Sequence, residues 1–243
     1  MHSQVQHFEG VSFSPVNSEF EFEALAFARN YRREIARRFS PYLRGRVLEV
    51  GCGVGQFTME LSKMPAVTKL TGLEPDPRFR ERFAAKNPNV PIFQGLASEF
   101  RTEQDAIVSV NVLEHIEDDT QELAVYRKLL SRNGHLCLFV PARRELLSKI
   151  DSLMGHYRRY TKRELSRKLE QGGFHIQELC YFNPIGYLGW LISFRLLQQT
   201  GFSARSVAFF DRYVFPSSVR LGHLTGNVIG QSIIAICQAC DTR

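Results

Sequence analysis

The 243-residue sequence predicts an α/β protein built on a doubly wound, mostly parallel sheet. Three observations carry that prediction. Short apolar runs alternate with segments that bear helix caps. A glycine-rich loop follows the first complete apolar run. The other unusual loops also follow strands, so right-handed crossovers gather them along one sheet edge, where open α/β sheets bind ligands. With 44% hydrophobic and 23% charged residues the chain can bury a full core, which excludes wholesale disorder.

Residues 19–39 open with Glu19, Glu21 and Glu23 and continue with Arg29, Arg32, Arg33, Arg37 and Arg38. That charge order suits a helix dipole, and Phe22, Leu25, Ala26, Tyr31 and Ile35 supply a partial apolar stripe. Arg46 to Val50 reads as a buried strand closed by GCGVG, and Phe57 to Leu61 as the helix after it. Lys69 to Leu73 is a second strand ending at Glu74. Asp76 then caps a helix with Pro77 in its first turn, and Asn87-Pro88 stops it. Val90 to Phe93 and Asp105 to Val110 are the third and fourth strands. Asp119 with Glu122 predicts a capping box for a helix through Leu130, ended by Asn133-Gly134. Leu136 to Val140 is the fifth strand, Thr161 with Glu164 caps a helix ending at Gly172-Gly173, and Phe174 to Tyr181 is the sixth strand. Residues 184–227 are aromatic and apolar with scattered arginines, and Val228 to Cys237 reads as a last strand. The whole is expected to be one domain, residues 1–243. It divides into a helical segment (1–40), a cofactor-binding half (41–140) and two lid insertions (141–160 and 184–227).

The start, MHSQVQHFEG, lacks the basic and apolar regions of a secretory signal. Pro184 to Leu197 falls short of the roughly 20 residues of a membrane span and contains Arg195. Five cysteines argue against a disulfide framework, and the single pair Cys237 and Cys240 lacks a matching second pair for zinc. A cytoplasmic protein without a metal is the expectation. The net charge of +6 invites a nucleic-acid reading, but it is local. Residues 1–140 carry 17 basic and 18 acidic side chains, whereas residues 141–170 carry 9 and 4. The excess therefore points to an anionic substrate or a membrane surface.

A strand, a glycine loop, a helix and an acidic residue about 20 positions on form a nucleoside-binding layout. A dinucleotide fingerprint needs glycine where Gln56 stands, which disfavours a nicotinamide oxidoreductase. The spacing is instead E-x-G-x-G-x-G, from Glu49 through Gly51, Gly53 and Gly55. VLEVGCGVGQFT, then GLEPDPRF, then VNVLEHIEDD, resembles the class I S-adenosylmethionine-dependent methyltransferases over roughly residues 28–183. The subgroup it most resembles includes the ubiquinone-biosynthesis O-methyltransferases. The resemblance implies a Rossmann-like seven-stranded sheet whose last strand is antiparallel and lies between the fifth and sixth. It implies S-adenosylmethionine as cofactor. Glu49, Gly51, Cys52, Gly53 and Gly55 would contact its methionine moiety, Glu74 its ribose, and Pro75, Leu96 and Ala97 its adenine. Asn111 and Val112 would line the sulfonium end. The sequence departs from the family where an aspartate often follows the loop glycine and Leu96 stands here, so backbone groups or Ser98 must serve the adenine.

On the acceptor side His115 and His156 are candidate bases, with loop bracing as the alternative for His115. Arg158 and Arg159, followed by Tyr160, suit a carboxylate or phosphate, unless they pair with acidic side chains. Tyr31 is expected either to cover the cofactor or to pack its own helix, and Trp190 to line the acceptor space. Residues 184–227 exceed a compact connection of about 12–15 residues. They read as a lid, an apolar substrate tunnel, a peripheral membrane contact or a homodimer surface. The expected activity is methyl transfer to a small or lipid-like acceptor, with oxygen as the expected atom and carbon and nitrogen as alternatives. A non-catalytic binding protein is the reading from another class. Nucleic acid is not expected, since NVLEH stands where a base-flipping motif would.

Overall fold

The computed structural model describes residues 24–201 and 203–240. Glu19, Glu21, Phe22 and Glu23, named above, and Phe202 within the 184–227 segment lie outside the described residues. Helix α1 (Arg29–Phe39) precedes strand β1 (Gly45–Val50), helix α2 (Thr58–Leu61) and strand β2 (Val67–Leu73). Helix α3 (Arg80–Lys86) leads to the short β3 (Ile92–Phe93) and then β4 (Gln104–Val110). Helix α4 (Asp119–Leu129) runs straight into β5 (Leu130–Pro141). Helices α5 (Lys149–Leu153) and α6 (Lys162–Gln171) follow, then β6 (Phe174–Phe182). Helices α7 (Pro184–Trp190), α8 (Ala204–Phe209) and α9 (Phe215–Leu224) lead to β7 (Ser232–Ala239).

The seven strands form one sheet in the order β3-β2-β1-β4-β5-β7-β6. β7 pairs antiparallel with both β5 and β6, while the pairs from β3 to β5 are parallel. This is the expected arrangement. Side chains alternate between two buried layers because successive residues of a strand point to opposite faces. Leu48, Ile107, Leu136 and Leu138 pack with Leu123, Leu165 and Leu169 on one face. Val47, Val108, Phe139 and Ile236 pack with Ile35, Phe39 and Phe215 on the other.

Three local expectations need correction. The N-cap of α4 is Asp118, whose carboxylate accepts Gln121 N–H at 2.9 Å. Asp119 instead turns inward, where the Tyr160 hydroxyl donates to it at 2.8 Å. Tertiary partners thus claim the side chain that the local pattern assigned to the cap. Secondly, α4 ends at Leu129, not at Asn133-Gly134; Asn133, at φ +61°, lies within the paired span of β5. Thirdly, β7 begins at Ser232 rather than Val228. Gly230 lies against the Phe182 backbone, where any Cβ would stand 2.2 Å from its carbonyl oxygen, so the chain enters the sheet only after that crossing.

The segment 184–227 is helical and closes over the C-terminal edge of the sheet. Asn183 begins it in a left-handed conformation, and its side-chain oxygen accepts Gly186 N–H at 3.0 Å and Ser218 Oγ–H at 2.7 Å. Farther along, the Asp211 carboxylate accepts the Asn30 and Tyr31 backbone N–H groups, both at 2.9 Å. The insertion is therefore fastened to the start of α1. No helix among the described residues is long and apolar enough to cross a membrane.

Candidate active site

One cavity of about 1210 Å³ runs along the sheet edge beneath the insertion. Its first end is built by loops at the C-terminal ends of β1, β2 and β4. Gly51, at φ +67°, leaves no room for a side chain: a Cβ there would stand 2.4 Å from Val112 Cγ2. Gly55, at φ +75°, makes room instead for Asn87, whose amide donates to the Gly55 carbonyl. Glu49, Gly51, Cys52, Gly53, Glu74, Pro75, Leu96, Ala97, Asn111 and Val112 all line the cavity; Gly55 does not.

Two buried carboxyls face this end. Glu49 accepts from the Thr58 hydroxyl at 2.5 Å, yet burial pushes its pKa up to about 8. Burial also raises Glu74 to about 7, against the lowering effect of the Asp76 and Gly53 N–H groups that it accepts at 3.0 and 2.9 Å. Each Glu74 oxygen keeps a second lone pair for a ligand hydroxyl. At Leu96 the backbone N–H donates to Glu99 Oε2 at 2.7 Å, while Ser98 lines the cavity and offers the hydroxyl that the absent aspartate does not.

The second end joins residues far apart in sequence. The His115 and His156 rings meet edge to face with centroids 4.7 Å apart. Burial, with His156 beside it, lowers His115 to about 3, so its imidazole is neutral at neutral pH. His156 Nδ1 lies 3.0 Å from Asp151 Oδ1. Arg159 donates from Nε to the same oxygen at 2.7 Å and from Nη1 to the Ala142 carbonyl at 3.2 Å. Its guanidinium stacks 4.3 Å from the Trp190 ring centre, and Trp190 donates its indole N–H to the Leu146 carbonyl. Tyr31 packs edge-on against Phe139 and Phe182, its hydroxyl accepts Gln231 Nε2–H at 3.2 Å, and burial raises its pKa.

Of the expected acceptor-side residues, His115, His156, Arg159, Tyr31 and Trp190 line the cavity; Arg158 and Tyr160 do not. Arg158 is drawn away by Asp119 at 2.8 Å and by the Glu117 carbonyl. Tyr160 is fully buried, with its hydroxyl on Asp119 and the Leu113 carbonyl. Their role is to clamp the 155–160 loop onto the 113–119 loop. Sequence reasoning missed Asp151, Glu114 and Asn183. A local signal existed for Asp151, since Ser148 and Asp151 cap α5 reciprocally. Asn183 carried a local signal too, as an N-cap before Pro184 that accepts Gly186 N–H, and only its bond from Ser218 depends on the lid docking above it.

A family profile described as "Methyltransferase domain" matches residues 23–179. A search of curated proteins finds no match. Among solved structures, one similar fold is an S-adenosylmethionine-dependent methyltransferase of Thermotoga maritima, described as a possible histamine N-methyltransferase. It has 16% identity and a TM-score of 0.60, and the match covers 89% of this chain and 91% of that one. A methyltransferase of Archaeoglobus fulgidus, also dependent on S-adenosylmethionine, has 17% identity and a TM-score of 0.58, with 86% and 94% covered. The [4+2]-cyclase SpnF has 15% identity and a TM-score of 0.59, with 88% and 82% covered. At such identities the likeness is one of fold, and the cyclase shows that the fold alone does not set the reaction.

Proposed function

We propose an acceptor class from one premise: the chain belongs to the methyltransferase-domain family and is an S-adenosylmethionine-dependent methyltransferase. The acceptor we propose is a small or lipid-like molecule with an apolar body, methylated on oxygen. The observation that carries this reading is one continuous cavity lined from Glu74 to Trp190. Its volume of about 1210 Å³ exceeds the range of about 300–1,000 Å³ usual for one ligand, so it has room for a cofactor and a second molecule.

The chain's own groups fit the cofactor. Glu74 would take the ribose hydroxyls on its free lone pairs. Glu49 would face the ammonium of the methionine moiety, and the space kept open at Gly51 would admit the ligand backbone to close range. S-adenosylmethionine supplies a methyl group on a sulfonium, which needs a positioned nucleophile more than it needs an acid. His115, neutral at working pH, and His156, oriented by Asp151, are the groups placed to hold or accept an acceptor proton. Arg159, though paired with Asp151 through Nε, lines the cavity and is the one cation of its loop left beside the acceptor space for an anionic group.

The insertion lines the cavity with Trp190, Phe194, Val207 and Phe210, alongside the polar Ser193, Gln199 and Ser206. The outer face of the insertion exposes Leu188, Ile192, Leu196, Leu197, Phe209 and Tyr213, with Arg195, Arg205 and Arg212 among them. Such a surface supports docking of the lid at the headgroup level of an anionic membrane. Incubation with methyl-labelled S-adenosylmethionine and separate lipid and water-soluble extracts tests the proposal. Label in an O-methylated lipid-phase product is expected. Label confined to a water-soluble amine would replace this reading with the N-methyl one that the Thermotoga relative's description suggests.

A further inference from the structure

We propose that Glu114, His115 and His156 form a binding site for one divalent transition-metal ion, of the zinc, cobalt or nickel kind, in the cavity wall. The three side chains each bring a ligand atom, and these atoms all lie within 4.8 Å of one another. Metal bonds of about 2.0–2.2 Å place neighbouring tetrahedral ligands about 3.3–3.6 Å apart. The cluster therefore closes on an ion with side-chain adjustments of about an ångström. Two imidazoles with one carboxylate select zinc, nickel or cobalt over magnesium, which prefers oxygen ligands.

The surroundings resemble the support that ligating histidines receive. His156 has Nδ1 engaged by Asp151 at 3.0 Å, which turns Nε2 toward Glu114, 3.9 Å from Oε1. His115 hydrogen-bonds the Gly155 backbone and keeps its other ring nitrogen. A carboxylate or carbonyl behind each imidazole sets the tautomer and the ring orientation. The backbone is held as well: Tyr157 N–H donates to the Glu114 carbonyl at 2.8 Å, and Arg158 ties the same loop to Glu117. The two halves of the cluster are thus fastened before any ion arrives.

Three protein ligands leave at least one coordination position, and both histidines line the cavity, so that position opens toward the acceptor space. The use of the ion on an acceptor oxygen rests on the acceptor class proposed above, and in the metal-bound protein the ion, not either imidazole, would favour loss of the acceptor proton; the binding of the ion does not rest on it.

The test is titration of chelator-stripped protein with Co²⁺ and Zn²⁺, with Mg²⁺ as the control. We expect one Co²⁺ per chain, visible d–d absorption and no thiolate charge-transfer band. His115→Gln and His156→Gln should each weaken binding by about 100-fold or more while the protein stays folded and binds S-adenosylmethionine as before. Glu114→Gln should do the same; if it fails to fold, the two histidine variants decide. Absence of Co²⁺ and Zn²⁺ binding to folded protein at millimolar ion overturns the proposal. So does binding that survives both histidine variants, or a thiolate band, which would put the ion at Cys237 and Cys240. Absence of metal binding in the unaltered protein that still binds S-adenosylmethionine would sink this inference alone, and metal binding by unaltered protein that binds no S-adenosylmethionine would sink only the proposed function.

Discussion

The two ends of the cavity are built by different means. At the Glu74 end, backbone does most of the work: tight loops follow β1, β2 and β4, and the sheet lines them up along one edge. At the His156 end, side chains do it. Asp151 holds His156 and Arg159, Asp119 gathers Arg158, Tyr160 and Lys168, and Asp211 anchors the lid to α1. The difference teaches that the first end should respond to a change as one unit, whereas the second should divide into groups that touch the acceptor and groups that hold the loop.

The largest expected effect is at the backbone-built end. Glu74→Ala should weaken S-adenosylmethionine binding by about 100-fold, or about 2.7 kcal/mol, in calorimetry. Retained affinity would mean that the loops alone hold the cofactor. Next, Arg159→Gln should lower kcat/KM for the acceptor by about 20-fold and leave cofactor Kd within about twofold. Arg158→Gln should leave acceptor kcat/KM within about threefold, since that side chain faces Asp119 rather than the cavity. Equal losses from the two would erase the division between contact and clamp.

A pH series sharpens the same comparison. The cofactor-free protein keeps Glu49 and Glu74 protonated up to about 8 and about 7, above the ordinary carboxyl range. The folded state then binds more protons than the unfolded state across neutral pH. Stability from these groups is fullest below the ordinary carboxyl range and falls as pH rises through 7 to 8. A hydroxyl or ammonium ligand favours the ionised forms, so cofactor affinity should rise by about tenfold from pH 6 to 8. Glu74→Gln should flatten that rise, and a flat profile in the unaltered protein would contradict the assignment. The smallest effect belongs to the lid surface. Leu196→Ser with Phe209→Ser should reduce sedimentation with anionic vesicles by about threefold, while the melting temperature holds because both side chains are exposed.

The charge excess shows how far a sequence reading reaches. Residues 141–170 look like a free basic patch in composition, yet Arg144 pairs with Glu164, Arg158 and Lys168 with Asp119, and Arg159 with Asp151. The counts were right and the availability was not, because pairing depends on which acidic groups the fold brings near. Glu49, Gly51, Glu74 and Asn111 were legible because each stands at or just after the C-terminal end of a parallel strand, and right-handed crossovers gather those ends along one sheet edge. His156 and Arg159 were legible as candidates only by residue type.

The resemblance to the family implied the order of the strands; what the sequence by itself determined is therefore the strands themselves and the loops that follow them. Those rest on local periodicity, caps and glycines, which act over a few residues. Only the tertiary structure decided that Arg158 and Tyr160 are clamps, that Asp119 turns inward and that Asp211 holds the lid. It also decided that Glu114, His115 and His156 converge. These outcomes depend on which buried charges find partners across about 40 to 180 positions of sequence, and desolvation makes an unpaired alternative costly. No local pattern records that choice.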